Sequence, residues 1–81
     1  MNDIFNRTLK VVAAHFGVSS VDEEDDILRD LNGDALDVIE LVMELEEVFN
    51  IAISDDEAER IRFVKDAYDV VVKKVNINVP V

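Results

Sequence analysis

The residues from Asp34 to Phe49 constrain this chain more than any other stretch, because their apolar positions repeat with the period of a helix, and do so twice. Val38, Leu41, Val42, Leu45, Val48 and Phe49 recur at spacings of three and four and define one wide face, which predicts a helix turned into a core. Leu36, Ile39 and Met43 recur at i, i+3 and i+7, nearly opposite that face, with Glu40, Glu46 and Glu47 interleaved or flanking. A narrow apolar stripe ringed by carboxylates suits a docking surface for a basic partner, and it also suits a second packing face inside the protein. Periodicity leaves both readings open. The charges add one hint. Asp34 and Asp37 sit in the first turn, where the helix dipole favours them, whereas Glu44, Glu46 and Glu47 lie toward the end that disfavours acids, which points outward to a partner.

The rest of the chain reads as further helices. Residues 3–16 carry Phe5, Leu9, Val12 and Phe16 on one face, with Asp3 placed as an N-cap and Gly17 as a C-terminal stop. Residues 18–33 lack sustained periodicity. They hold the like-charge run Asp22–Asp26, which reads as solvated loop, and then Ile27, Leu28 and Leu31, which should pin the loop to the core. A structureless connection of that length is often functional when it leads into a site. Within it, Asp30 to Asp34 superficially suggests a calcium loop. With Gly33 at the sixth position, Leu28 and Ile39 fall where carboxylates are required, so an EF-hand is excluded and only weak, unspecific cation binding by clustered acids remains.

A helix over 34–50 is followed by Ile51-Ala52-Ile53, a short connector that should tuck inward. Ser54-Asp55-Asp56-Glu57 has the form of a capping box and opens a short helix over 55–61. The last helix is predicted over 63–75, with Val64, Ala67, Tyr68, Val71 and Val75 on one face. Residues 76–81, which include Pro80, read as a frayed tail. Val70-Val71-Val72 alone would suit a strand, but the helical spacing extends further than any alternation. The expected fold is an all-α bundle, in one domain spanning 1–81.

Composition narrows the function. Nineteen acidic against eight basic residues give a net charge of -11, which disfavours nucleic acid and anionic membrane surfaces and calls for partners that present Lys and Arg. The absence of cysteine excludes disulfides and thiolate metal sites, so hydrophobic packing must hold the core. His15 is the single histidine. It reads as an ordinary, partly exposed surface residue, and no metal site is expected. No signal-peptide pattern or apolar run of about 20 residues is visible, so a cytoplasmic monomer is expected. No nucleophile–base pair and no Gly-rich phosphate loop suggest an enzyme.

The residues Asp30-Leu31, Gly33-Asp34, Leu36-Asp37, Glu40-Leu41-Val42-Met43, Leu45-Glu46-Glu47, Phe49 and Ile53 to Ile61, following a helix and a long loop, resemble an acyl carrier protein. The likeness covers nearly the whole chain and is strongest over 27–61. It implies a four-helix bundle with a short third helix. In that family an Asp-Ser-Leu motif at the head of the second helix carries 4'-phosphopantetheine on its serine, and the arm's thiol holds an acyl chain that the bundle partly shelters. By this resemblance Asp34, position 35 and Leu36 form the attachment motif. Asp37, Ile39, Glu40, Met43, Glu46 and Glu47 would dock the phosphopantetheinyl transferase and the acyl-processing enzymes of fatty-acid or related synthesis.

Two departures stand out. Ala35 occupies the serine position, and a methyl group cannot form a phosphodiester, so the chain as written cannot be charged. The intact neighbours favour a deliberate Ser→Ala replacement. The alternative is a natural carrier-like interaction or scaffold protein that has dispensed with the prosthetic group. The family also commonly places threonines before the last helix, where Arg62-Phe63 stand here; the missing cap should cost about 1 kcal/mol unless Asp66 or a neighbour compensates. Phe63 is a candidate for core contact or for lining an acyl pocket.

Overall fold

Four helices, α1 (Asp3–Phe16), α2 (Ala35–Phe49), α3 (Asp55–Glu59) and α4 (Val64–Asn78), follow one another in the computed structural model, which describes residues 3–78. Among the described residues there is no strand, only an isolated antiparallel bridge between Asp26 and Phe63. The expected all-helical bundle is what forms. Helix α1 packs against α4 and α2, and α3 lies beside α2.

Each helix end has an identifiable chemical cause. Gly17, at φ +67°, closes α1: its N–H donates to the Ala14 carbonyl and that of Val18 to the Ala13 carbonyl, a Schellman pair that satisfies two orphan acceptors. Helix α2 begins with a reciprocal box. The Asp34 carboxylate accepts from the Asp37 N–H at 3.0 Å, and the Asp37 carboxylate accepts from the Asp34 N–H at 2.9 Å. Asn50 ends α2 in the left-handed region, at φ 55°. Ser54 and Glu57 make the same kind of box at α3, as their spacing predicts.

Helix α2 is one residue shorter at each end than expected, because Asp34 and Asn50 are its caps, and other boundaries differ as well. Asp3 lies inside the first turn of α1 rather than capping it. Helix α3 stops at Glu59 instead of reaching residue 61, and its last turn tightens as the Arg60 and Ile61 N–H groups donate to the Glu57 and Ala58 carbonyls. Helix α4 starts at Val64 and runs on to Asn78, so residues 76–78 are helical and not tail; residues 79–81 lie outside the described residues. Asp66 supplies the cap that Arg62-Phe63 lack, its carboxylate accepting from both of their N–H groups at 3.0 and 2.9 Å.

The core is a single cluster of Val12, Ile27, Leu41, Val42, Leu45, Ile51, Ile53, Ile61, Val64, Ala67 and Val71. Helix α2 contributes Leu41, Val42 and Leu45 fully, with Val38 and Phe49 half-buried, while Val48 is exposed at the edge of the face. Ile51 and Ile53 point inward and Ala52 outward, as a short extended connector requires.

The acidic loop is less solvated than its charge suggests. The Asp25 and Glu23 carbonyls accept from the Val64 and Lys65 N–H groups, which are orphan donors of the first turn of α4. Asp26 is buried. Its carboxylate accepts from the Leu28 and Arg29 N–H groups and from Arg62 Nε at 2.8 Å. Burial opposes its ionisation, but the Arg62 bond and the two backbone donors outweigh it and hold the carboxyl below its ordinary range. Ile27 pins the loop as expected. Leu28 does not; it is 48% exposed.

Candidate functional site

The capping box fixes the head of α2 and leaves Ala35, its first residue, exposed at the surface. Beside it a groove of about 620 Å³ opens between α2 and α3, lined by Leu28, Ala35, Val38, Ile39, Ala58 and Ile61 among others. The lining is mainly apolar, so an alkyl chain leaving residue 35 would meet hydrocarbon there rather than water. Leu28, displaced from the core, forms part of this wall. Phe63 does not line it; the Arg62 guanidinium and the Lys65 ammonium instead lie over the Phe63 ring.

The second apolar stripe of α2 faces solvent. Leu36, Ile39 and Met43 are 60, 54 and 61% exposed, which excludes a second packing face within the described residues. Glu40 and Glu47 are exposed along the same side. Glu46 is half-buried, and its carboxylate accepts from the Ile53 N–H at 2.8 Å, so one of its oxygens already ties the α2–α3 connector to α2.

His15 is not an ordinary surface residue. Its side chain is only 8% exposed and lies between two carboxylates of α2, with Nε2 3.0 Å from Asp37 Oδ1 and Nδ1 2.9 Å from Glu44 Oε2. Two facing carboxylates suit an imidazolium, in which both nitrogens donate. Burial alone would lower the histidine's pKa, but the bonds to Glu44 and Asp37 outweigh it and raise the value above 6.5. Asp37 moves the other way, lowered by its bond to His15 and by the Asp34 N–H.

This clasp also alters the argument from the helix dipole. Glu44 and Glu46 have partners inside the protein, so only Glu47 still lacks an internal reason for its unfavourable position. The sequence carried a signal for the clasp: Asp37, Glu40 and Glu44 follow i, i+3, i+7 and mark an acidic edge of α2 distinct from the apolar stripes.

The residue at position 35 does not fit a phosphopantetheine arm. Its β-methyl offers no oxygen for the phosphodiester, although the cap, the groove and the exposed stripe surround it as an attachment site would need.

Comparison with known proteins agrees with this geometry. Residues 3–70 match the family model described as a phosphopantetheine attachment site. Acyl carrier protein 2 of Pseudomonas aeruginosa is 46% identical over 71 residues, covering 85% of this chain and 90% of that protein. The crystal structure of an acyl carrier protein from Thermotoga maritima superposes with a TM-score of 0.76 at 36% identity, over 91% of this chain and 88% of that one. The solution structure of the acetyl actinorhodin acyl carrier protein from Streptomyces coelicolor superposes with a TM-score of 0.68 at 23% identity, over 98% and 94% of the two chains, and speaks for the fold alone. A family model spanning most of the chain, a close curated relative and the exposed, capped head of α2 together place this chain in the acyl carrier protein family.

Proposed function

We propose that this chain is the scaffold of an acyl carrier, built to present acyl chains held as a phosphopantetheine thioester to fatty-acid or related synthase enzymes, and uncharged as written because Ala35 replaces the attachment serine. The observation that carries this reading is the exposed residue 35 at the capped head of α2, beside an apolar groove and at the end of the solvent-facing stripe Leu36, Ile39, Met43. Asp34, position 35 and Leu36 are the attachment motif. Ile39 and Met43 supply apolar contact to partners, and Glu40 and Glu47, with Asp37 and the remaining oxygen of Glu46, offer charge to their Lys and Arg. The scaffold is built for carriage and presentation and not for catalysis.

Ala35 is best read as a replacement within an otherwise complete carrier. Asp34 and Asp37 are weaker support for this than they look, because the capping box and the His15 bond give them structural roles without any arm. Leu36 is the stronger support: at 60% exposed it contributes little to the core, and the carrier role explains its presence. A natural scaffold without the prosthetic group would keep the same docking face, and it would co-purify with one partner in fixed ratio.

The docking half of the proposal is tested without restoring the serine. The Ala35 chain should bind a phosphopantetheinyl transferase weakly, with affinity that falls as salt rises, because exposed charge pairs set encounter and orientation more than strength. Glu40→Lys with Glu47→Lys should abolish this binding in an isothermal titration. Affinity unchanged by salt and by both substitutions would contradict it.

A further inference from the structure

His15 stands in the last turn of α1, where the helix dipole favours a cation, and its side chain is 8% exposed. The charged groups that meet it come from α2: Asp37 Oδ1 at 3.0 Å from Nε2, Glu44 Oε2 at 2.9 Å from Nδ1, and a Glu40 oxygen within 4.8 Å of a ring nitrogen and of Asp37. From its own helix the ring meets Phe16, with the ring centroids 4.8 Å apart. Among the described residues no group of α3, α4 or the loops bonds to it or pairs with it. We propose that this junction is a proton-operated clasp: the imidazolium ties α1 to α2 at two carboxylates, and the neutral ring keeps Asp37 and releases Glu44.

The two ends of the clasp are not equivalent. An imidazolium donates from both nitrogens, but a neutral imidazole donates from one and carries a lone pair on the other. At the distances found here that lone pair would face a carboxylate oxygen, so one bond has to open when the proton leaves to solvent. Turning Asp37 away would break the capping box, because its Oδ2 accepts from the Asp34 N–H while its Oδ1 faces Nε2. Glu44 has no such second bond among the described residues, and its side chain is 45% exposed. The proton therefore leaves from Nδ1, the ring remains as the Nε2–H tautomer, and Glu44 turns to water.

Charge sets where in pH this happens. Burial favours the neutral ring, but the bonds to Glu44 and Asp37 outweigh it and keep the proton on beyond the ordinary 6.5. The stability that the clasp contributes is then fully present below 6.5 and is lost as pH rises through the raised folded-state value. The released Glu44 carboxylate joins Glu40 on the same acidic edge of α2. Under the proposed docking function this adds charge toward basic partners, but the clasp itself rests only on the packing of α1 against α2.

Ring-nitrogen NMR of the intact chain from acid to mildly alkaline pH, with thermal melts over the same range, tests the clasp. His15 should titrate with a midpoint above 6.5 and lose its proton from Nδ1. Glu44→Gln removes the charge and keeps the volume. It should bring that midpoint down toward 6.5, and should lower the melting temperature below the parent's midpoint but not above it. An unmoved midpoint in Glu44→Gln, a neutral ring protonated at Nδ1, or a melting difference that does not change with pH would overturn the clasp.

Discussion

At the scale of single residues, many of the charged side chains serve as caps and clasps around the apolar core. Asp26, Asp34, Glu46, Glu57 and Asp66 each accept from backbone N–H groups, so part of the large acidic excess satisfies loops and helix ends. Glu57 has the clearest consequence. The Ser54 N–H and the Lys74 ammonium hold its carboxyl well down, at about 2 against an ordinary 4.5. A depressed folded-state pKa contributes stability that is fully present above 4.5 and is lost as pH falls toward 2. Carbon-detected NMR titration should therefore find the Glu57 carboxyl ionised well below the ordinary glutamate value of 4.5. In denaturant melts, Glu57→Gln should cost stability at neutral pH, and the difference from the parent should shrink across that acid window. A Glu57 that titrates with the ordinary carboxylates would contradict the capping geometry.

At the scale of elements, α2 separates its two faces cleanly, and each has its own measurable property. Leu41 is fully buried and Met43 is 61% exposed, two residues apart on the same helix. Leu41→Ala should cost about 2 to 5 kcal/mol in chemical denaturation, the range for emptying a packed leucine site. Met43→Ala should fall within about 0.5 kcal/mol of the parent, as surface changes do, and should weaken partner binding instead. A large stability loss at Met43 would mean that the stripe packs internally.

The helices are legible in the sequence because their cues are local: Gly17, Asp34, Asn50 and Ser54 each mark an end within a few residues of the chain they cap. The start of α4 is less legible because its donors are satisfied by carbonyls of Glu23 and Asp25, far away in sequence. The same holds for His15, whose partners Asp37 and Glu44 meet it only once α1 and α2 pack. Residue counts alone make a lone histidine look idle, and packing makes it a junction.

At the scale of the whole molecule, the bundle joins a packed core to an outward platform on one helix. The core and the cap set the head of α2 in place, the groove lies beside it, and the stripe leads away from it. Among the described residues no helix is long and apolar enough to cross a membrane. Whether the second stripe of α2 packs internally depends on where the neighbouring helices lie, and the fold leaves that side open to solvent. On the proposed reading the platform lacks one atom for carrier chemistry, a hydroxyl oxygen at position 35.

Intact-protein mass spectrometry tests that claim most directly. After incubation with coenzyme A and a phosphopantetheinyl transferase, the Ala35→Ser chain should gain the mass of a single phosphopantetheine, located at residue 35, while the parent chain gains nothing. A folded Ala35→Ser chain that takes up no arm, or a parent chain that acquires one, would contradict it.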